Sequence, residues 1–256
     1  MNLMKPTHND ESSGQNPMHA MDGSALKRPF DPPRYVIAVC VVAAVAAFVV
    51  GGFLGGKAID QILHGDERAA ATVAENIARD VSYNLPNMQS YIGLDDASIL
   101  NSFAEAGYLL YDLTTDGEDG IDTMKLPDDT SLSDATITLG AGISNMDAVA
   151  ASKYLVGSWR FTVDRGDVVS MRVRYCDLRS SDASAAIIAA LESQGWNGNA
   201  DVTITGEGVD EVGNTYKEGT LPGGATWRIS ACDLSAVYDI AGLPETAQYV
   251  GIRVYS

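Results

Sequence analysis

Residues 35–56 form an unbroken apolar run with no charged side chain. At about 1.5 Å per residue, such a run wound as a helix crosses a hydrocarbon layer of roughly 30 Å. The pattern predicts a single transmembrane helix, with Arg34 and Tyr35 at one interface and Lys57 at the other. The run is longer than the apolar part of a secretory signal and follows a long leading region, so a retained anchor is expected. Within it, Ala43, Ala47, Gly51 and Gly55 recur at every fourth position. On a helix they make one stripe of small side chains. The stripe suits a homodimer packed through the membrane helix, although an Ala/Gly-rich span facing lipid has the same pattern.

Residues 1–34 lack apolar periodicity and are expected to be a disordered tail. Behind the apolar run, Ile59, Leu63, Ala70, Val73, Ile77 and Val81 fall near one helical face until Pro86 ends the pattern. Residues 57–86 therefore read as a juxtamembrane helix, either a free stalk or the first helix packed on a domain.

From residue 87 to 256 the pattern alternates between helix and strand. Residues 96–106 read as a helix closed by Gly107, and 108–113 as a strand. Residues 114–135, acidic and rich in Thr, Ser and Gly, read as a loop. Ser144 and Asp147 resemble a capping box before a helix through Tyr154. Trp159, Phe161 and Val163 alternate with Arg160, Thr162 and Asp164. Val169, Met171, Val173 and Tyr175 alternate with Ser170, Arg172 and Arg174. With Gly166 between the two runs, this is a β-hairpin having one apolar and one polar face. A helix over 183–194 follows, then strands at 202–205, 216–220, 226–230 and 249–255, with a short helical turn in 234–240. The fold class expected is α+β, a mostly antiparallel sheet with a few short helices behind one membrane helix.

Charge sets the orientation. The chain has 17 Lys+Arg against 34 Asp+Glu, a net charge of −17. In the first 34 residues Lys5, Lys27, Arg28 and Arg34 balance Asp10, Glu11, Asp22 and Asp31, so the excess acid lies beyond the tail. Lys27, Arg28 and Arg34 closely precede the apolar run, which favours a cytoplasmic N-terminus and an extracytoplasmic C-terminal domain. So acidic a domain repels nucleic acid as a body, and no nucleic-acid partner is expected. In an exported domain, Cys176 and Cys232 suggest one disulfide, the alternative being two buried free thiols.

The chemistry is sparse. The three histidines, His8, His19 and His64, all precede the domain. Histidine-dependent nucleophilic sites within it are thereby excluded, and a zinc site is disfavoured. No phosphate-cradling glycine motif occurs. Asp112, Asp116 and Glu118 partly match a calcium loop, but Thr114 and Thr123 stand where acids belong, so the segment reads rather as a solvated loop. Calcium is the one cofactor the sequence suggests. Arg160, Arg172 and Arg174, with Arg179 nearby, concentrate positive charge on the hairpin. They could hold carboxylate or phosphate groups of an envelope partner, or pair with the domain's own acids.

The function expected is a membrane-anchored extracytoplasmic interaction or ligand-binding module, such as an accessory subunit of a cell-envelope complex. A carboxylate-pair envelope hydrolase and a non-binding spacer are the alternatives.

Overall fold

The computed structural model describes residues 65–114, 120–131 and 143–256. The tail, the expected membrane segment with Ala43, Ala47, Gly51 and Gly55, and the loop acids Asp116 and Glu118 lie outside the described residues. Among the described residues no helix is long and apolar enough to cross a membrane.

Eight strands form a single antiparallel sheet: β1 (Leu110–Asp112), β2 (Gly120–Lys125), β3 (Trp159–Arg165), β4 (Val169–Asp177), β5 (Thr203–Val209), β6 (Thr215–Thr220), β7 (Thr226–Asp233) and β8 (Gln248–Tyr255). Their spatial order is β1-β2-β3-β4-β8-β7-β6-β5. Two four-stranded meanders thus meet where β4 pairs with β8. Among the described residues four α-helices accompany the sheet: α1 (65–78), α2 (Asp96–Glu105), α3 (Ala148–Leu155) and α4 (Ala183–Ser193). The α+β expectation therefore holds for the domain.

The helices start where aspartates satisfy their free N–H groups. Asp95, Asp147 and Asp182 cap α2, α3 and α4, each carboxylate accepting from a backbone N–H three residues on at 2.8 Å. Asp147, rather than Ser144, is thus the cap of α3. Ser144 falls in a preceding 3-10 turn. Helix α2 ends at Gly107, whose φ of 72° suits glycine.

Packing sorts the strands into two faces. On the core face, the cross-strand row Phe161–Val173–Ile252–Ile229 is fully buried. Phe103 from α2 meets Tyr91, Trp159 and Phe161 there. Helix α4 connects the two meanders and lies against β6, β7 and β8, burying Ile187 and Leu191. A second apolar cluster, including Leu155, Leu178, Leu234 and Ile240, closes one end of the sheet.

Two segments differ from the sequence reading. Strand β2 lies inside the region expected to be a loop. Its alternation is hidden in the sequence because Thr123 and Lys125 are buried along with Ile121 and Met124. The Lys125 ammonium is satisfied by the Gly157 carbonyl at 3.2 Å and Asp128 at 2.8 Å. Packing also begins ahead of residue 87. The Tyr83 hydroxyl donates to the Cys176 carbonyl, the Trp159 indole to the Tyr83 carbonyl at 2.8 Å, and Gln194 to the Pro86 carbonyl at 3.0 Å. In α1, residues 66–72 are exposed, whereas Val73 is buried and Asn76 bonds Val149 and Ser152. One end of this helix stands clear of the described domain and the other is docked on it.

Candidate functional site

The sheet face opposite α2 and α4 carries the polar half of each alternating strand. Because residues opposite one another on neighbouring strands share a face, the register places Thr162, Arg172, Arg253, Arg228 and Glu218 in one row across β3, β4, β8, β7 and β6. The next row runs Met124, Arg160, Arg174, Gly251, Ser230 and Tyr216. Five arginines of a strongly acidic chain thus converge on one face.

They are not equivalent. Arg160 is bound in bidentate fashion by Asp122, as cross-strand pairing with the domain's own acids would have it. Arg228 pairs with Asp210 at 3.0 Å and Glu218 at 3.4 Å and stacks on Tyr216 at 3.9 Å. Arg179 leaves the group altogether: its guanidinium donates to the carbonyls of Ile77, Arg79 and Val81 and ties the domain's first segment to β4. Arg172, Arg174 and Arg253 have no carboxylate partner among the described residues. Arg253 reaches Ser170 at 3.2 Å and lies over the Tyr255 ring at 4.3 Å. The Nε atoms of Arg174 and Arg253 are buried and make no hydrogen bond. A buried unpaired N–H typically costs 1–3 kcal/mol, more when charged.

Electrostatics around this trio is unfavourable. Burial, and then the charges of Arg253 and Arg174, push the Arg172 guanidinium below its ordinary pKa. Burial raises the Tyr249 hydroxyl, and the adjacent Arg174 charge draws it partly back. Tyr238, packed edge-on against Tyr249 at 5.8 Å, is pushed up to about 12, mainly by burial. Both phenols are therefore neutral hydrogen-bonding groups at physiological pH. With Ser230 and Gly251, Tyr249 and the arginines line a trough of about 540 Å³ running over β4, β8 and β7. Gly251 leaves the middle of this face without a side chain, where anything larger would approach Ser230 Oγ at 3.5 Å.

The expected bridge between Cys176 and Cys232 is not formed, and both thiols are free. Both residues lie opposite Tyr249, one on each side of it. Two strand spacings of about 4.8 Å hold their Cα atoms roughly 9–10 Å apart, beyond the ~7 Å a disulfide spans. Burial first, and then Asp177, pushes the Cys176 thiol up to about 12. Cys232 is half-buried and raised less far by burial, Asp233 and Asp210. With Cys40 replaced by Ala, an impermeant maleimide should label Cys232 of the native protein without reductant and spare Cys176 until unfolding. Mass spectrometry of the labelled peptides checks this. Equal labelling of both thiols, or labelling only after reduction, would contradict the geometry.

Asp112 accepts from the Thr114 backbone N–H at 2.9 Å, which holds its carboxyl below the usual range. Among the described residues no group of His, Cys, Asp or Glu is arranged to hold a metal. None of the described clefts is lined by two carboxylates.

Sequence reading identified Arg172 and Arg174 but not Arg253, Tyr249 or Tyr255. Their signal was present: Tyr249, Gly251, Arg253 and Tyr255 fall on alternate positions and so on one face of β8. What the pattern lacked was which strand β8 would join. Comparison of the chain with protein-family models, curated proteins and solved structures found no match in any of the three.

Proposed function

We propose that this chain is a membrane-anchored, extracytoplasmic ligand-binding module whose arginine face holds an oxyanion of its ligand. The observation that carries the reading is the trio Arg172, Arg174 and Arg253, in register on one face without a carboxylate partner among the described residues. A protein with twice as many acids as bases has ample means to neutralise three arginines. Leaving them unpaired, with two buried Nε–H groups unused, suits a phosphate or carboxylate that supplies the missing acceptors on binding. The neutral Tyr249 phenol and Ser230 add donors around the same trough.

Anchoring rests on the uncharged run 35–56 and on Lys27, Arg28 and Arg34 ahead of it. The exposed part of α1 would then lead from the bilayer to the domain, with the arginine face available to a cell-envelope partner.

The test uses the full chain in nanodiscs of zwitterionic lipid. At constant ionic strength, replacing chloride by inorganic phosphate should raise the melting temperature, because a ligand that binds only the native state stabilises it by mass action. The double variant Arg174→Gln/Arg253→Gln should lose the rise. Equal melting temperatures of wild type in phosphate and chloride, or an undiminished rise in the double variant, would overturn the reading.

A further inference from the structure

A second cavity, of about 330 Å³, opens on the same sheet face beside the arginine trough. The two share Arg174 and Tyr249 as a common wall. The trough side presents guanidinium groups, whereas the cavity side presents Tyr111, Leu113, Met124, Leu155 and Tyr238. Its size falls in the range of small-ligand sites, and an apolar lining with a few convergent polar groups is typical of them. The sheet register explains the division. Along the row Tyr111–Met124–Arg160–Arg174–Gly251, the β1–β2 half is aromatic and aliphatic and the β4–β8 half is cationic or bare. The unsatisfied Arg174 Nε lies on the boundary.

We infer that the ligand is an anionic amphiphile, with its oxyanion over Arg172, Arg174 and Arg253 and its aliphatic or aromatic body in the adjoining cavity. The inference rests on the proposed anion-binding role of the arginine face and adds the apolar half of the ligand. A free inorganic anion would use the trough alone and leave the cavity unfilled. An uncharged amphiphile would fill the cavity and leave the three guanidinium groups unpaired. Only a molecule carrying both parts answers both features, and the shared Arg174–Tyr249 wall fixes the charged group next to the start of the apolar body.

Calorimetric titrations of the full chain in zwitterionic nanodiscs, with protein-free nanodiscs subtracted, separate the parts. Three probes are compared: inorganic phosphate, octyl phosphate and octyl glucoside. Octyl phosphate should bind at least roughly tenfold tighter than inorganic phosphate, since burying even two methylenes supplies that factor. Octyl glucoside should bind more weakly than octyl phosphate by a similar factor. Tyr111→Ser, at an edge strand where the fold tolerates change, should weaken octyl phosphate and leave inorganic phosphate unaltered. Arg174→Gln/Arg253→Gln should weaken both phosphates. Equal affinity for inorganic and octyl phosphate would overturn the amphiphile inference and leave the anion reading standing. Binding of octyl glucoside as tight as octyl phosphate would overturn the anionic half. Failure of both phosphates to bind would overturn the inference together with the reading beneath it.

Discussion

Phe103→Ala is expected to destabilise the domain by about 3–5 kcal/mol, the usual cost of emptying a large aromatic site in a closed core. Phe103 is wholly buried and touches four rings: Tyr91 and Phe161 edge-on at 5.4 and 5.0 Å, Tyr108 at 5.8 Å and Trp159 at 5.6 Å. These rings come from the 3-10 turn Met88–Tyr91, from β3 and from the loop after α2, so no single neighbour can shift to fill the hole. For a domain of this size the loss corresponds to a fall in melting temperature of roughly 10 °C or more. Leu100 supplies the control. It lies on the same helix but is 40% exposed, and its replacement by Ala should change stability by about 0.5 kcal/mol or less. Thermal unfolding followed by near-ultraviolet circular dichroism reads both. If Phe103→Ala melts like the wild type, α2 is not packed on the sheet as described.

The same residue shows what was legible in the sequence. Ile99 and Phe103 are four apart behind a capping aspartate, and that local pattern is enough to place a helix with one apolar face. The β3–β4 hairpin was equally plain, because Trp159–Val163 and Val169–Tyr175 alternate cleanly around Gly166. Strand β2 was hidden because a buried lysine and threonine replace the apolar half of the alternation, and their satisfaction depends in part on carbonyls distant in sequence, those of Gly157 and Tyr111. The candidate site failed to emerge for a related reason. Arg172 and Arg174 belong to a hairpin visible in the sequence, but Arg253 reaches them only because β8 inserts between β4 and β7. Strand order in a sheet is a long-range property that local periodicity does not encode. The cysteines mark the same limit: each was correctly placed near a strand end, yet the intervening Tyr249 of β8 keeps them apart.

That insertion has an energetic consequence with a testable sign. Arg172 is directly opposite Arg253, and a like-charged pair across strands opposes folding by about 0.2–1 kcal/mol. Replacing Arg172 with Gln should therefore stabilise the ligand-free domain, raising its melting temperature by a few degrees, and the gain should shrink as salt screens the repulsion in the wild type. The same substitution removes one of the three groups proposed to hold the oxyanion. Affinity for octyl phosphate should fall roughly tenfold, the scale of one charge-assisted hydrogen bond. Stability and binding thus move in opposite directions, as expected where a protein retains a strained feature for function. Arg179→Gln provides the contrast. It loses three carbonyl partners at 2.7–3.1 Å, so it should lower the melting temperature and leave the affinity unchanged. If Arg172→Gln instead destabilises the protein and binds octyl phosphate like the wild type, the arginine row is structural, and the ligand must be sought elsewhere on the domain.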